Sequence, residues 1–402
     1  MGGGRTTLVD NREIDRRTDK ITQEVIAIRR AIHENPELGF EEHETAARVA
    51  KLLTEQGIPF QTGIGGTGVV GMIEGVAPGP TVAIRADMDA LPMDEESGVP
   101  FASNTPGKMH ACGHDAHTAI ALGAAMVLVG MRNQLKGRVK LIFQPAEELL
   151  VGAEAMIKDG VLENPNIDFA LGYHNLPSMA AGKVGYHGDV TYASADAFDI
   201  TLRGVSGHGA HPHMAVDVIT AAAYFITELQ TVVSREISPV HPAVVSIGKI
   251  VGGTARNILP DTLSLEGTVR TLDPQARVQV EEAMRRLLEG FKTGMRIGYK
   301  LDYRNGVPVM RNDPKVLASV AKSARDILGD DAVIELTEYS MASEDFAYFT
   351  ERVPSVHLRI GSKIDGLDTA AHRSNYDCNE LAIPTGIRVL VRSALDLLGS
   401  NS

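Results

Sequence analysis

Cysteine is scarce in this chain: there are two, Cys112 and Cys378, among 402 residues. A disulfide framework is thereby excluded as the stabilising device, and a reducing cytoplasm is the expected compartment. Positive charge is short as well. Lys and Arg number 39 against 51 Asp and Glu, a net charge of −12 spread along the chain without blocks. No basic footprint exists to displace counterions from phosphates, which argues against nucleic acid as a partner. Long apolar runs are also missing. The longest near-apolar stretch, Thr118 to Met131, falls short of the roughly 20 residues that span a bilayer, so no membrane partner is expected. The opening MGGGRTTLVDNREIDRRTDK has no apolar stretch of the secretory kind. Its Met-Gly-Gly-Gly-Arg-Thr formally fits a myristoylation pattern, with a glycine-rich arm as the plain alternative. Repeats and low-complexity tracts are not seen. What is there is an ordinary soluble composition, 44% apolar and 22% charged, at a length that suggests two or three domains.

Hydrophobic periodicity sets the organisation. Ile14, Ile21, Val25, Ile28 and Ile32 recur at helical spacing, and Ala46, Val49, Leu52 and Leu53 do so between His43 and Gln56. Gly68 to Glu74 and Thr81 to Asp87 read as strands, parted by the turn-rich Gly75-Val-Ala-Pro-Gly-Pro. A small-residue helix from Ala116 to Met131, a strand from Gly137 to Gln144, a helix from Gly152 and a strand from Asp168 to Tyr173 follow. Strands alternating with helices predict an α/β domain with a mixed sheet. Between Gly182 and Tyr303 the rhythm changes. A strand at Ala197–Arg203 is followed by a helix at Val216–Ser234 and two strands, Val244–Ile250 and Thr262–Arg270. A helix at Gln275–Gly290 and a strand at Arg296–Tyr303 complete a ferredoxin-like β-α-β-β-α-β order. It predicts an α+β domain over residues 185–304, inserted into a discontinuous first domain of residues 1–184 and 305–402. The α/β rhythm resumes with helix Pro314–Leu328, strand Ser355–Ile360 and helix Pro384–Leu398.

Chemistry-bearing residues gather in a few places. In His110-Ala-Cys-Gly-His-Asp-Ala-His117, Cys112 and His114 are two apart. In an extended stretch both would point the same way. A thiolate and an imidazole converging on one point suit a borderline-soft divalent cation. Asp115 either anchors a ligand histidine from behind or caps the helix that follows. Taken alone, a buried cysteine beside a histidine is more often ordinary packing. Phe143-Gln-Pro-Ala-Glu-Glu148 ends an apolar strand. Consecutive carboxylates there point in different directions, one free to ligate metal and the other to face an attacking water. An isolated Glu-Glu pair is otherwise a solvated turn. His174 follows an apolar run and His372 lies in a loop. Each alone reads as structural or exposed, but ligands in α/β sheets gather at the carboxyl ends of strands. The signal is in the set.

Together the ordered motifs Arg85-Ala-Asp-Met-Asp-Ala-Leu-Pro, His110-Ala-Cys-Gly-His-Asp, Gln144-Pro-Ala-Glu-Glu and Ser343-Glu-Asp-Phe resemble the metal-dependent aminoacylase family. That family includes hippurate hydrolase and the plant hydrolases of auxin–amino-acid conjugates, within a wider group of dinuclear-metal exopeptidases. The match runs nearly end to end, from Arg29-Arg-Ala-Ile-His-Glu-Asn-Pro-Glu-Leu to the last helix. The resemblance implies a mixed-sheet catalytic domain with an inserted dimerisation domain, and hydrolysis of the amide bond of N-acyl amino acids. A dipeptidase or carboxypeptidase of the wider group would use the same metal site with a different pocket.

The resemblance implies two divalent cations per subunit, ligated by Cys112, His114, Glu148, His174 and His372. Manganese or zinc is expected, with cobalt or nickel also admitted by such a mixed donor set. It implies Glu147 as general base. Gly207-His-Gly-Ala-His-Pro-His resembles a family motif in which His208 reaches a neighbouring subunit's active site and steadies the substrate carbonyl. His211 and His213 are further candidates for such a role, with a structural reading as the alternative. Gly253-Thr-Ala-Arg-Asn-Ile-Leu-Pro resembles a loop in which Asn257 contacts substrate. Arg256 either pairs with the substrate carboxylate or makes a surface salt bridge. Assembly into a dimer or tetramer through the inserted domain is expected. The chain also departs from the family. His372 is followed by Arg-Ser-Asn-Tyr-Asp rather than Ser-Pro and an aromatic-Asp pair, and Gly209 follows His208 where alanine is common. Arg85 stands where wider relatives carry a metal-binding histidine, leaving Asp87 as a supporting carboxylate behind the ligands. Cys378 matches no functional position.

Overall fold

The computed structural model describes residues 10–399, so the myristoylation-like start lies outside the described residues. These residues form two compact units. One takes in the described residues through Thr191, Arg311–Glu338 and those from Tyr348 onward; the other comprises Tyr192–Met310 and Tyr339–Ala347.

The first unit is built on a mixed eight-stranded sheet. Its order is Phe60–Ile64, Gly68–Glu74, Lys136–Gln144, Ala77–Asp87, Phe169–Ala180, Ser355–Lys363, Val184–Tyr186 and Val333–Glu335. The central strands Lys136–Gln144, Ala77–Asp87, Phe169–Ala180 and Ser355–Lys363 run parallel to one another. Parallel strands are covered on both faces and therefore read as continuous apolar runs, as Thr81–Asp87 does, buried at every position. The stretch expected to be a turn between strands partly joins one: Ala77–Pro80 opens the Ala77–Asp87 strand. Its prolines are accommodated by a register shift between Ala77 and Thr81.

Helices His114–Val129 and Ala382–Gly399 pack against this sheet, and Asn11–His33 packs on both of them. Asn11–His33 starts where Asp10 accepts the backbone N–H of Arg12, and it buries Ile14, Val25, Ile28 and Ile32. His114–Val129 has almost no polar face, and from His114 through Leu128 only Met126 is not fully buried. A helix apolar all round belongs in the middle of a core. Its first turn is therefore buried as well, and that turn carries His114, Asp115 and His117.

In the second unit the strand order is Ala243–Gly252, Thr262–Thr271, Ser194–Arg203, Gly298–Arg304, all antiparallel. With helices Val218–Thr231 and Pro274–Met295, each capped by an aspartate, Asp217 and Asp273, the chain order is β-α-β-β-α-β. The core between sheet and helices is its own, with Phe198, Phe225, Leu265, Val280 and Met284 buried in it. No described helix is long and apolar enough to cross a membrane.

Candidate metal centre

The site grows from the carboxyl ends of the central strands of the first unit. Between Cys112 and His114 the chain does not stay extended as expected. Gly113 takes φ 88°, and His114 opens the helix His114–Val129. A side chain at Gly113 would be strained at that φ, and its Cβ would lie 2.5 Å from both Asn175 Nδ2 and Tyr376 Oη. The left-handed glycine, rather than strand alternation, is what turns Cys112 and His114 toward one point. His174 projects there from the Phe169–Ala180 strand, its Nε2 3.3 Å from Cys112 Sγ.

The second arm is the Glu147-Glu148 turn. The Lys136–Gln144 strand ends at Gln144, and the chain reverses at Ala146, a non-glycine residue at φ 51°. Such a conformation costs an L-residue about 1–2 kcal/mol. The turn is closed by Leu150 N–H donating to the Glu147 carbonyl at 2.7 Å and Gly152 N–H to the Ala146 carbonyl at 3.2 Å. The expectation that the two carboxylates diverge, as on a strand, does not hold. Glu147 Oε2 and Glu148 Oε1 each lie 3.9 Å from His114 Nε2. His372, at φ 65°, brings its Nε2 to 3.3 Å from Glu148 Oε1.

All five expected ligands and the expected base thus meet. Cys112, His114 and His174 form one cluster whose donor atoms lie within 4.8 Å of one another; Cys112, Glu148 and His372 form another, and His114, Glu147 and Glu148 a third. The donor set fits divalent cations. Buried His114 Nε2 and Glu148 Oε1 face one another at 3.9 Å without a hydrogen bond between them, a gap that an ion or water would bridge. Thiol, imidazole and carboxylate are the donors such cations take.

Charge is concentrated here. Burial pulls the His114 imidazole down, but the Asp87 charge and hydrogen bonds to Asp89 and Cys112 carry it well above its usual range. His372 is lifted to about 10 by hydrogen bonds to Cys112 and Glu148. Burial holds the His174 imidazole well down, helped by His117 and Arg359. Burial and the Glu148 charge push the Cys112 thiol up, against hydrogen bonds from His114 and His372.

The supporting carboxylates are redistributed. Asp87 accepts from His117 Nδ1 at 2.6 Å and from Arg85 Nη1 at 2.8 Å, and its Oδ2 lies 3.8 Å from His114 Nε2. Asp115, expected behind a ligand histidine or as a cap, instead hydrogen-bonds Arg29 Nε at 2.6 Å and His33 Nδ1 at 2.8 Å. A helical residue one position past His114 projects to a different side of the helix, toward Asn11–His33. Asp89, which the sequence did not single out, holds the site: its Oδ1 faces His114 Nδ1 at 3.2 Å and its Oδ2 accepts Glu148 N–H at 2.9 Å. The repeated acid in Arg85-Ala-Asp-Met-Asp was the available signal. His117 was also missed as a functional part. Its Nε2 accepts the backbone N–H of Asn175, the residue after His174, at 3.0 Å. Cys378 packs with Met109, Ala111, Ala116 and Tyr376.

His208, Arg256 and Asn257 lie in the second unit, all exposed. The short strands Gly207–His208 and Ile258–Leu259 pair antiparallel, with Gly209 N–H donating to the Asn257 carbonyl at 2.8 Å. This brings the two expected substrate loops side by side. His211 and His213 are exposed in the same loop.

Residues 83–396 match a sequence model described as Peptidase family M20/M25/M40. The chain is 39% identical over 383 residues to an N-acetyl-L-cysteine deacetylase of Bacillus subtilis, covering 95% of this chain and 90% of that protein. It is 38% identical over 368 residues to thermostable carboxypeptidase 2 of Saccharolobus solfataricus, covering 90% and 92%. A solved Bacillus subtilis structure, described as a dinuclear metal binding peptidase from the M20 family, aligns with a TM-score of 0.84 at 35% identity, over 95% of this chain and 99% of that one.

Proposed function

The chain belongs to Peptidase family M20/M25/M40 and is a metal-dependent amidohydrolase, and on that premise we propose that it cleaves the amide bond of an N-acyl amino acid, releasing a carboxylic acid and the free amino acid. The observation that carries the reading is the convergence of Cys112, His114, His174, Glu148 and His372 with a further carboxylate, Glu147, at the same point. The likeness to a deacetylase of an N-acetyl amino acid supports the acyl-amino-acid substrate.

In this reading Cys112, His114, Glu148, His174 and His372 would together hold two divalent cations. Bound there, the pair supplies a Lewis acid for the acyl carbonyl and favours ionisation of the attacking water. Manganese or zinc is the proposed metal, with cobalt or nickel as further candidates. Glu147 takes the proton of the attacking water and returns it to the departing amine. Asp89 fixes the ring of His114 and the backbone of Glu148 while this happens. His208, supplied by a neighbouring subunit, donates to the developing oxyanion. Arg256 pairs with the substrate carboxylate and Asn257 contacts the substrate beside it.

The same reading makes the second unit the assembly surface of a dimer or tetramer. Support comes from apolar side chains left exposed on it: Ile250 and Val251 on the outer strand Ala243–Gly252, and Ile219 and Tyr224 on the helix Val218–Thr231. A cytoplasmic setting agrees with two free, buried thiols.

The likeness to a carboxypeptidase favours a second reading, in which the acyl group is itself an amino acid or peptide. A panel of N-acetyl and N-benzoyl amino acids and of dipeptides, assayed with added manganese or zinc, separates the two. The proposal expects kcat/KM to be highest for the N-acyl amino acids. A preference for dipeptides would transfer the enzyme to the second reading.

A further inference from the structure

The turn that carries Glu147 is held from both sides. On the far side, Glu148 N–H donates to Asp89. On the near side, Ala146 N–H donates to Glu42 Oε1 at 2.8 Å. Glu42 lies in the loop between the helices Asn11–His33 and His43–Glu55, 104 residues earlier in the chain. Its side chain is fully buried, and its other oxygen, Oε2, accepts the hydroxyl of Thr67, which is also buried. A carboxylate withdrawn from water needs donors in good geometry, and these two donors come from the strand Gly68–Glu74's approach and from the active-site turn.

The loop itself is fixed. Glu37 accepts Glu44 N–H at 3.0 Å and Thr45 N–H at 2.8 Å, and its carbonyl accepts Ala90 N–H at 2.8 Å. Ala90 follows Asp89, so the same loop is anchored to the segment that supplies the other hold. Gly39 of that loop lies so close to the turn that an added Cβ would come within 3.1 Å of Ala146 Cα. Ala146 is the left-handed residue of the turn. The Glu42 carboxylate is the side-chain acceptor that meets the N–H of this left-handed residue directly, so losing it frees the N–H of a residue whose conformation is unfavourable by itself.

We propose that Glu42 is a positioning residue for catalysis: by accepting the N–H of Ala146 it locks the left-handed reversal that aims Glu147 at the reacting water. The inference rests on Glu147 being the general base. It assigns Glu42 no contact with substrate or cation. What matters is the reach of its side chain and an acceptor oxygen at Ala146, and its charge is incidental. Displacing a catalytic group by about an ångström costs on the order of 100-fold in rate.

Two conservative variants separate reach from charge. Glu42→Gln keeps the length, the acceptor for Ala146 and, through its amide, a donor to Thr67 Oγ1. Glu42→Asp keeps the charge and withdraws it by one methylene. With each enzyme loaded with manganese and its metal content measured, Glu42→Gln is expected to hold kcat within about threefold of wild type. Glu42→Asp is expected to lose about 10- to 100-fold in kcat with KM and metal content little changed. Hydrogen exchange of the peptide spanning Phe143–Leu150, read on the same samples, is expected to quicken in Glu42→Asp and not in Glu42→Gln. The reverse order of kcat, with Gln the poorer variant, would overturn the proposal. So would a Glu42→Asp enzyme of lowered thermal stability whose kcat and exchange at Phe143–Leu150 match wild type. Failure of the base assignment shows separately, as substantial turnover by Glu147→Gln in the metal-loaded enzyme.

Discussion

Cys112, His114 and His174 in the first unit and His208, Arg256 and Asn257 in the second are held in opposite ways. The first three are buried and each is tied to a neighbour by a short polar contact or a helix start. The other three stand in solvent, and His208's own hydrogen bond is a local one, from Ala210 N–H to its Nδ1 at 3.0 Å. The fold of the first unit therefore decides where its groups point before any substrate arrives. The residues of the second unit have no such enclosure. The difference teaches that changes at Cys112, His114 or His174 should register in catalysis and in stability together, while changes at His208, Arg256 or Asn257 should register in catalysis alone.

The sharpest way to break that comparison is Glu147→Gln. It is expected to lower kcat by about 10²- to 10⁴-fold with metal content intact, measured on the metal-loaded protein. Retention of a tenth of the activity would remove Glu147 from the role of base. Next is His208→Ala, expected to cost about 10²- to 10³-fold in kcat without moving the melting temperature, since the side chain is exposed. An unaffected rate would leave His208 as surface. The two variants also test the subunit origin of His208. Co-refolded in equal amounts, they should recover about a quarter of wild-type activity, because half the dimers then hold one intact site; no recovery would place His208 in its own subunit's site.

The smallest effect is on stability. Burial pulls the His33 imidazole down, but the Asp115 charge and hydrogen bonds to Asp115 and Glu95 lift it to about 9. Its folded pKa thus exceeds the unfolded value near 6.5. The stabilisation is complete below that unfolded value and is lost as pH rises through about 9. The melting temperature of the wild type should fall over that window, and His33→Gln should flatten the fall while leaving kcat near wild type. An equally steep fall in the variant would assign the pH dependence to other groups.

Much of the architecture was legible because it rests on local pattern. The helical stripe of Ile14, Val25, Ile28 and Ile32 placed the first helix, and the β-α-β-β-α-β order from Ala197 to Tyr303 placed the second unit's sheet. The prolines of 77–80 misled, since a strand can begin irregularly where its neighbour's register shifts. The side chains that cluster were legible as residue types in ordered motifs, whereas their supports were not. Asp115 and Asp89 are both acids next to motif histidines or aspartates, and nothing local says that one turns to Arg29 and His33 and the other to His114 and Glu148. Glu42 was silent for the same reason, because its significance is a hydrogen bond to a residue 104 positions away.

From the sequence alone came the kinds of donor this chemistry needs, their order along the chain and the periodicities that seat them at strand and helix ends. Those are properties of neighbours in the chain. The tertiary structure decided how the donors converge: a glycine at φ 88° between Cys112 and His114, an alanine at φ 51° before Glu147, and carboxylates from distant loops holding the result. The physical reason is that a left-handed residue or a buried carboxylate is unfavourable by itself. Only packing across the whole unit supplies the partners that make it persist.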